Sequence, residues 1–79
     1  MVIDEEFVVR ATDDLGAALK YFRTRKGVTQ REAAEMEGVG QPYLSALEGG
    51  KFSSSLRHVL RLLRLLDCEV VIRPRGSHG

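Results

Sequence analysis

The feature that most constrains this chain is a pair of short helical patterns held together by three residues. Gln30 to Glu37 is the first, Gln41 to Glu48 is the second, and Gly38-Val39-Gly40 joins them. Thr29 with Glu32 three positions on forms a capping box, which fixes where the first pattern begins. Gly38 stands where a positive φ turns the chain. Val39 then plugs the gap between the two helices, and Ala34 lies at their crossing, where a larger side chain would push them apart. Pro42 costs the second helix little, because the earliest N–H groups of a helix have no intrahelical partner. Leu44 and Leu47 face inward, and Gly49-Gly50 ends the helix.

This is the spacing of a helix-turn-helix, in which one helix braces another against the DNA major groove. The charge pattern agrees with it better than the net charge does, which is only +1. Lys20, Arg23, Arg25, Lys26 and Arg31 precede or enter the motif with no acid between them. Lys51, Arg57, Arg61 and Arg64 follow it in the same way. Such clusters fit either a phosphate-binding rim or a pair of solvated helix faces.

The rest of the chain reads as support. At 79 residues the prior is one domain. A domain of this size buries a limited share of its surface and gains from a partner subunit. Residues 1–12 are a loose acidic lead-in containing a short β-prone run, Phe7-Val8-Val9-Arg10. Thr12 as a hydroxyl cap, with Asp13 and Asp14 after it near the positive end of the helix dipole, is a helix start. Leu15, Ala18, Leu19 and Phe22 make one apolar stripe along a helix reaching about Lys26, and Gly16 and Ala17 permit close packing. After a serine-rich connector, a last helix runs from about Leu56 to Asp67. Its core face is Leu56, Val59, Leu60, Leu63 and Leu66. Leu62 and Leu65 widen the apolar arc beyond what a monomer core needs, which points to a second packing partner. Val70-Val71-Ile72 is a strand stopped by Pro74. Residues 13–67 are thus a helical core, 68–74 a dimerisation strand and 75–79 a tail. The economical arrangement is a homodimer. Strands containing Val70 and Ile72 pair across a two-fold axis, with Phe7–Arg10 at the edges and Leu62 and Leu65 beneath.

Thr29-Gln30, Ala34, Gly38, Leu44-Ser45-Ala46-Leu47-Glu48 and Gly50-Lys51 together resemble the Cro/C1-type (XRE) helix-turn-helix pattern over residues 14–67. The run from Leu62 to Ile72 is similar to one branch, the HipB-like antitoxins and y4mF-type regulators. The resemblance implies a mainly α, lambda-repressor-like bundle of about four helices, with terminal strands forming an intersubunit sheet. It also implies a dimeric operator-binding repressor of double-stranded DNA, often paired with a HipA-like kinase toxin. Carried over, the pattern has Gln30 donating to a phosphate and Lys51 near another. Gln41, Tyr43 and Ser45 face base edges or the adjacent backbone. Arg23 and Glu48 form an ion pair between the first helix and the end of the recognition helix. Pro42 departs from the pattern where several phage repressors carry a base-reading side chain, and Glu37 departs where an apolar residue is common.

For individual residues the chemistry leaves choices open. Gln41 suits bidentate pairing with adenine, worth ~1–3 kcal/mol of discrimination. Ser45 lies one turn on from it. Tyr43 fits a phosphate or thymine-methyl contact, and equally half-buried packing. Arg31 fits a phosphate contact or an ordinary solvated charge. Catalysis has no support: there is no nucleophile-elbow sequence, and Gly38-Val39-Gly40 lacks a following Gly-Lys-Ser/Thr. His58 and His78 lack zinc-site spacing, and no cofactor or metal is expected. Cys68 is the only cysteine, which fits a reducing compartment. With neither a leader pattern nor a membrane-length apolar run, a cytoplasmic chain that does not engage a membrane is expected.

Overall fold

The computed structural model describes residues 2–3 and 5–76. Part of the expected lead-in (Met1 and Asp4) and the end of the expected tail (77–79) lie outside the described residues. A β-hairpin comes first, β1 (Val2–Ile3) and β2 (Glu6–Val9). Four helices follow: α1 (Thr12–Arg25), α2 (Gln30–Glu37), α3 (Gln41–Glu48) and α4 (Ser54–Leu65). The last strand, β3 (Val70–Ile72), closes an antiparallel sheet of order β1-β2-β3. The architecture is a mainly helical helix-turn-helix bundle with a small sheet on one side.

The start of α1 differs from the expected hydroxyl cap. Ala11, in extended conformation, occupies the cap position, and Thr12 is already helical. Asp14 does the capping by reaching back: its Oδ2 accepts from the N–H of Arg10 at 2.9 Å and of Ala11 at 3.2 Å. A carboxylate at the positive end of the helix dipole serves this role better than a neutral hydroxyl. Further along, Gly16 is buried where α1 lies against the end of α3. The capping box of α2 forms as expected, with Thr29 accepting from the N–H of Glu32 and Glu32 accepting from that of Thr29. Gly38 turns the chain at φ +78°.

The lead-in is more ordered than expected, since β1 pairs with β2 through Val2↔Phe7 and Ile3↔Glu6. A strand of two residues carries no periodicity that a sequence reading can detect. β2 and β3 pair within the chain, with Phe7↔Ile72 and Val9↔Val70 on one face. That face is the core: Phe7 and Val9 are buried with Ala18 and Leu60, and Leu15, Tyr21, Phe22, Leu63, Val70 and Ile72 pack around them. Phe7, Tyr21 and Phe22 form an aromatic cluster with ring centroids 5.0–6.4 Å apart, in tilted and edge-on arrangements. Arg10–Glu69 and Arg73–Glu6 ion pairs bracket the β2–β3 pairing at the surface. Val70 and Ile72, expected at a dimer interface, are partly buried against this core. Their side chains face their own core, and their strand pairs first with β2. Val71 is the exposed member of the strand, and the other edge of β3 is unpaired among the described residues.

On α4 the core face is narrower than expected. Ser53 caps the helix by accepting from the N–H of Leu56. Leu60 is buried and Leu56 and Leu63 are partly so, but Val59 and Leu66, which periodicity placed with them, are exposed. The apolar arc spans more than half the helix circumference, so periodicity alone does not say which half meets the core. The sheet and α1 cover the Leu60–Leu63 side. Val59, Leu62, Leu65 and Leu66 remain as one contiguous apolar face, with Leu65 77% and Leu66 68% exposed. The helix ends at Leu65, two residues early, because Asp67 takes a left-handed conformation at φ +59° and Cys68 donates back to Leu63 O at 2.7 Å. Asp tolerates that conformation better than most non-glycine residues.

Candidate nucleic-acid interface

The helix-turn-helix leaves one side of α3 uncovered. Gln41, Pro42, Tyr43 and Ser45 are exposed, whereas Leu44, Ala46, Leu47 and Glu48 are turned partly inward. Gln41 and Ser45 lie one turn apart and share a face, and Tyr43 projects from the flank. Arg31 on α2 and Lys51 just beyond α3 are also exposed. The polar groups that a groove helix needs are therefore presented together.

Behind that face runs a chain of side-chain hydrogen bonds. Gln41 Nε2 donates to Gln30 Oε1 at 3.4 Å, and Gln30 Nε2 donates to Glu48 Oε1 at 3.0 Å. Arg23 grips Glu48 with two parallel bonds, Nε to Oε2 at 2.5 Å and Nη2 to Oε1 at 3.0 Å. Its remaining Nη1 donates to Val28 O at 2.7 Å, which ties the loop before α2 into the same unit. The pair is sheltered: the Glu48 side chain is 4% exposed and that of Arg23 15%. The guanidinium hydrogen bonds hold the Glu48 carboxyl below the usual carboxylate range, outweighing the opposing effect of burial, with Gln30 and the nearby Lys20 adding to the lowering. Glu48 in turn raises the pKa of Arg23.

The sequence reading paired Arg23 with Glu48 but did not connect either to Gln30 and Gln41. The link has a chemical consequence. A carboxylate only accepts, so Gln30 presents its amide nitrogen to Glu48 and its oxygen to Gln41. Gln41 then spends one N–H on Gln30 and keeps one N–H and its oxygen for the outside. One donor beside one acceptor is the complement of an adenine edge, with its N7 acceptor and N6 donor. Gln30 itself is half-buried, with one amide N–H left for a phosphate.

The basic clusters are less available than the sequence suggested. Arg23 is committed to Glu48, and Arg25 to Glu5 and the Tyr21 hydroxyl. Lys20, Lys26 and Arg31 form no ion pair among the described residues. Arg57, Arg61 and Arg64 are exposed along α4, beside its open apolar face.

A braced, outward-facing helix of this kind, carrying an exposed polar surface, is the working part of a helix-turn-helix regulator. The helix-turn-helix family profile matches residues 19–72, and the chain belongs to that Cro/C1-type family of DNA-binding transcriptional regulators. It is 31% identical over 69 residues to the HTH-type transcriptional regulator y4mF of Sinorhizobium fredii, covering 87% of this chain and 91% of that protein. An HTH-type transcriptional regulator of Archaeoglobus fulgidus is 33% identical over 52 residues, covering 66% of this chain and 74% of that protein. No solved structure matches the chain. Among the described residues, no helix is long and apolar enough to cross a membrane.

Proposed function

We infer that the chain is a sequence-specific operator-binding repressor that acts as a homodimer, most simply on its own promoter. The observation that carries this is the exposed Gln41–Ser45 face of α3 backed by the Gln30–Glu48–Arg23 chain, which sets the polarity of Gln41 before any DNA arrives. Gln41 reads a base in each half-site. Tyr43 and Ser45 add base-edge or backbone contacts, and Gln30, Arg31 and Lys51 contact phosphates. The half-sites lie about one helical turn apart, ~34 Å, or a multiple of it.

The test is a titration of DNA from upstream of its own gene across a salt series. Affinity for that duplex is expected to fall steeply as salt rises, because bound phosphates release counterions. Gln41→Ala is expected to cost ~1–3 kcal/mol for the preferred base and to level the preference at one position per half-site. A flat salt response would sink the DNA reading, and an unchanged base preference would remove Gln41 from it.

Dimerisation is supported by the uncovered α4 face and the open edge of β3. Val59, Leu62, Leu65 and Leu66 form one contiguous exposed apolar patch of the kind that marks an interaction surface. A two-fold axis beside α4 lets each patch cover its copy. Ile72→Asp would damage the core as well as the interface, so the informative variant is Leu62→Glu, at an exposed position. Sedimentation is expected to show a wild-type dimer weakened at least about 100-fold by Leu62→Glu, with the fold retained. A monomeric wild type, or an unaffected dimer, refutes the arrangement.

The resemblance of the Leu62–Ile72 run to the HipB-like branch supports a further role as the antitoxin of a HipA-like kinase toxin. Co-expression with a neighbouring kinase-like gene is expected to relieve its toxicity. Failure to do so leaves a stand-alone regulator of the phage or restriction-modification kind.

A further inference from the structure

Away from α3 the molecule carries an open groove of about 780 Å³, walled by α1, the start of α2 and the chain leaving β3. No residue of α3 lines it. Its floor is apolar, built from Leu15, Leu19, Phe22, Val28 and Ile72. Leu19 is 39% exposed although it sits within the apolar stripe of α1, because none of the described residues covers it there. The rim is cationic. Lys26 and Arg75 are exposed without an ion pair among the described residues. Beside them Arg25 and Arg73 are exposed and held by Glu5 and Glu6 of the N-terminal hairpin. Glu5 is the single acid among the groove's lining residues.

This surface suits neither partner already considered. A duplex presents phosphates on a convex surface and offers nothing to an apolar floor. A second copy related by a two-fold axis would set each rim against its own like charges, which is unfavourable. An apolar trough edged by positive charge is the complement of an amphipathic helix with large apolar side chains on one face and carboxylates along its flanks. The volume lies within the range of pockets that bury a few such side chains. We propose that this groove docks an acidic amphipathic helix of another protein, held by apolar anchors over Leu19 and Phe22 and by carboxylates against Lys26 and Arg75. No residue of α3 or α4 lines the site, although Arg23, which backs Gln41 through Glu48 and Gln30, and Ile72 of β3 do. Leu19 belongs to neither the DNA-reading chain nor the α4 face and so isolates the groove.

The test is selection by the full-length chain from a displayed library of amphipathic helices about four turns (~16 residues) long. The helices carry fixed Leu and Phe anchors, and their flanks are randomised among Glu, Lys and Ser. Glu-flanked clones are expected to dominate. Their binding is expected to weaken about tenfold between low and high salt, and about tenfold on Leu19→Gln. Leu19→Gln is expected to leave affinity for the upstream duplex unchanged, which separates failure of this site from failure of the DNA reading. No selected clones, equal selection of Lys or Ser flanks, or clones indifferent to Leu19→Gln would overturn the proposal. So would dissociation of the chain's own dimer on Leu19→Gln, since the groove would then be covered by a second copy.

Discussion

Replacing Gly16 with alanine is expected to unfold the domain or to lower its melting temperature by more than about 15 °C. A Cβ at this position would sit 2.6 Å from Leu47 O, 2.7 Å from Glu48 O and 2.7 Å from Gly50 N. All three are backbone atoms at the end of α3, so no side-chain rotation relieves the contact. α1 and α3 would have to move apart, taking with them the Arg23–Glu48 pair that spans the same gap. Overpacking a well-packed site costs ~1–3 kcal/mol, and a clash with fixed backbone belongs at or above the upper end. A domain of this length has about 4–12 kcal/mol in total, and each kcal/mol moves the midpoint by roughly 4–8 °C. The control is Gly49→Ala, where the added Cβ meets Ala46 O at 3.4 Å and Ser45 O at 3.5 Å and φ is −85°. That variant is expected to be neutral or to gain up to about 1 kcal/mol by restricting the unfolded chain. Thermal unfolding of both variants checks the pair. A Gly16→Ala protein as stable as wild type would show that the α1–α3 approach is looser than described.

The contrast between these two glycines shows where sequence reading stops. The motif was legible because local chemistry fixed it: Thr29 and Glu32 cap α2, Gly38 turns left-handed, and Ser53 caps α4, each within three residues of its partner. Features set by distant packing were not legible. The outward turn of Val59 and Leu66 depends on where the sheet settles against α4. The inward facing of Val70 and Ile72 depends on β2, some sixty positions earlier in the chain. The same holds for the candidate site. The outward positions on α3 follow from helical geometry, but the amide polarity of Gln41 is set through Gln30 by Glu48, eighteen residues beyond Gln30.

Glu48→Ala is expected to be the most damaging change within the interface, and it acts on stability and on reading together. It leaves the sheltered guanidinium of Arg23 with only Val28 O as acceptor, and breaking one side of a buried pair typically costs about 3–5 kcal/mol. Glu48→Gln keeps the shape and separates the two effects. Oε1 of Glu48 accepts from both Arg23 Nη2 and Gln30 Nε2, and Oε2 from Arg23 Nε alone. An amide oxygen at the Oε1 position therefore still serves Gln30, while the NH2 at the other position meets Arg23 Nε, a donor against a donor. Glu48→Gln is thus expected to lose stability but to keep base preference at the Gln41 position where the domain remains folded, whereas Glu48→Ala leaves Gln30 without that acceptor and is expected to lower both. Acid titration gives a second readout. The folded-state pKa of Glu48 is lowered, chiefly by Arg23, so its contribution is complete above the ordinary carboxylate pKa near 4.5 and is lost as pH falls through the lower folded value. Glu32 is lowered in the same direction by the N–H of Thr29 and retains its share in either protein. Urea unfolding between about pH 7 and pH 3 is thus expected to show a shallower acid loss in Glu48→Gln than in wild type, without abolishing it. Parallel acid limbs in the two proteins would mean that the carboxylate is not held by Arg23 in solution, and the argument that it orients Gln30 and Gln41 would fall with it.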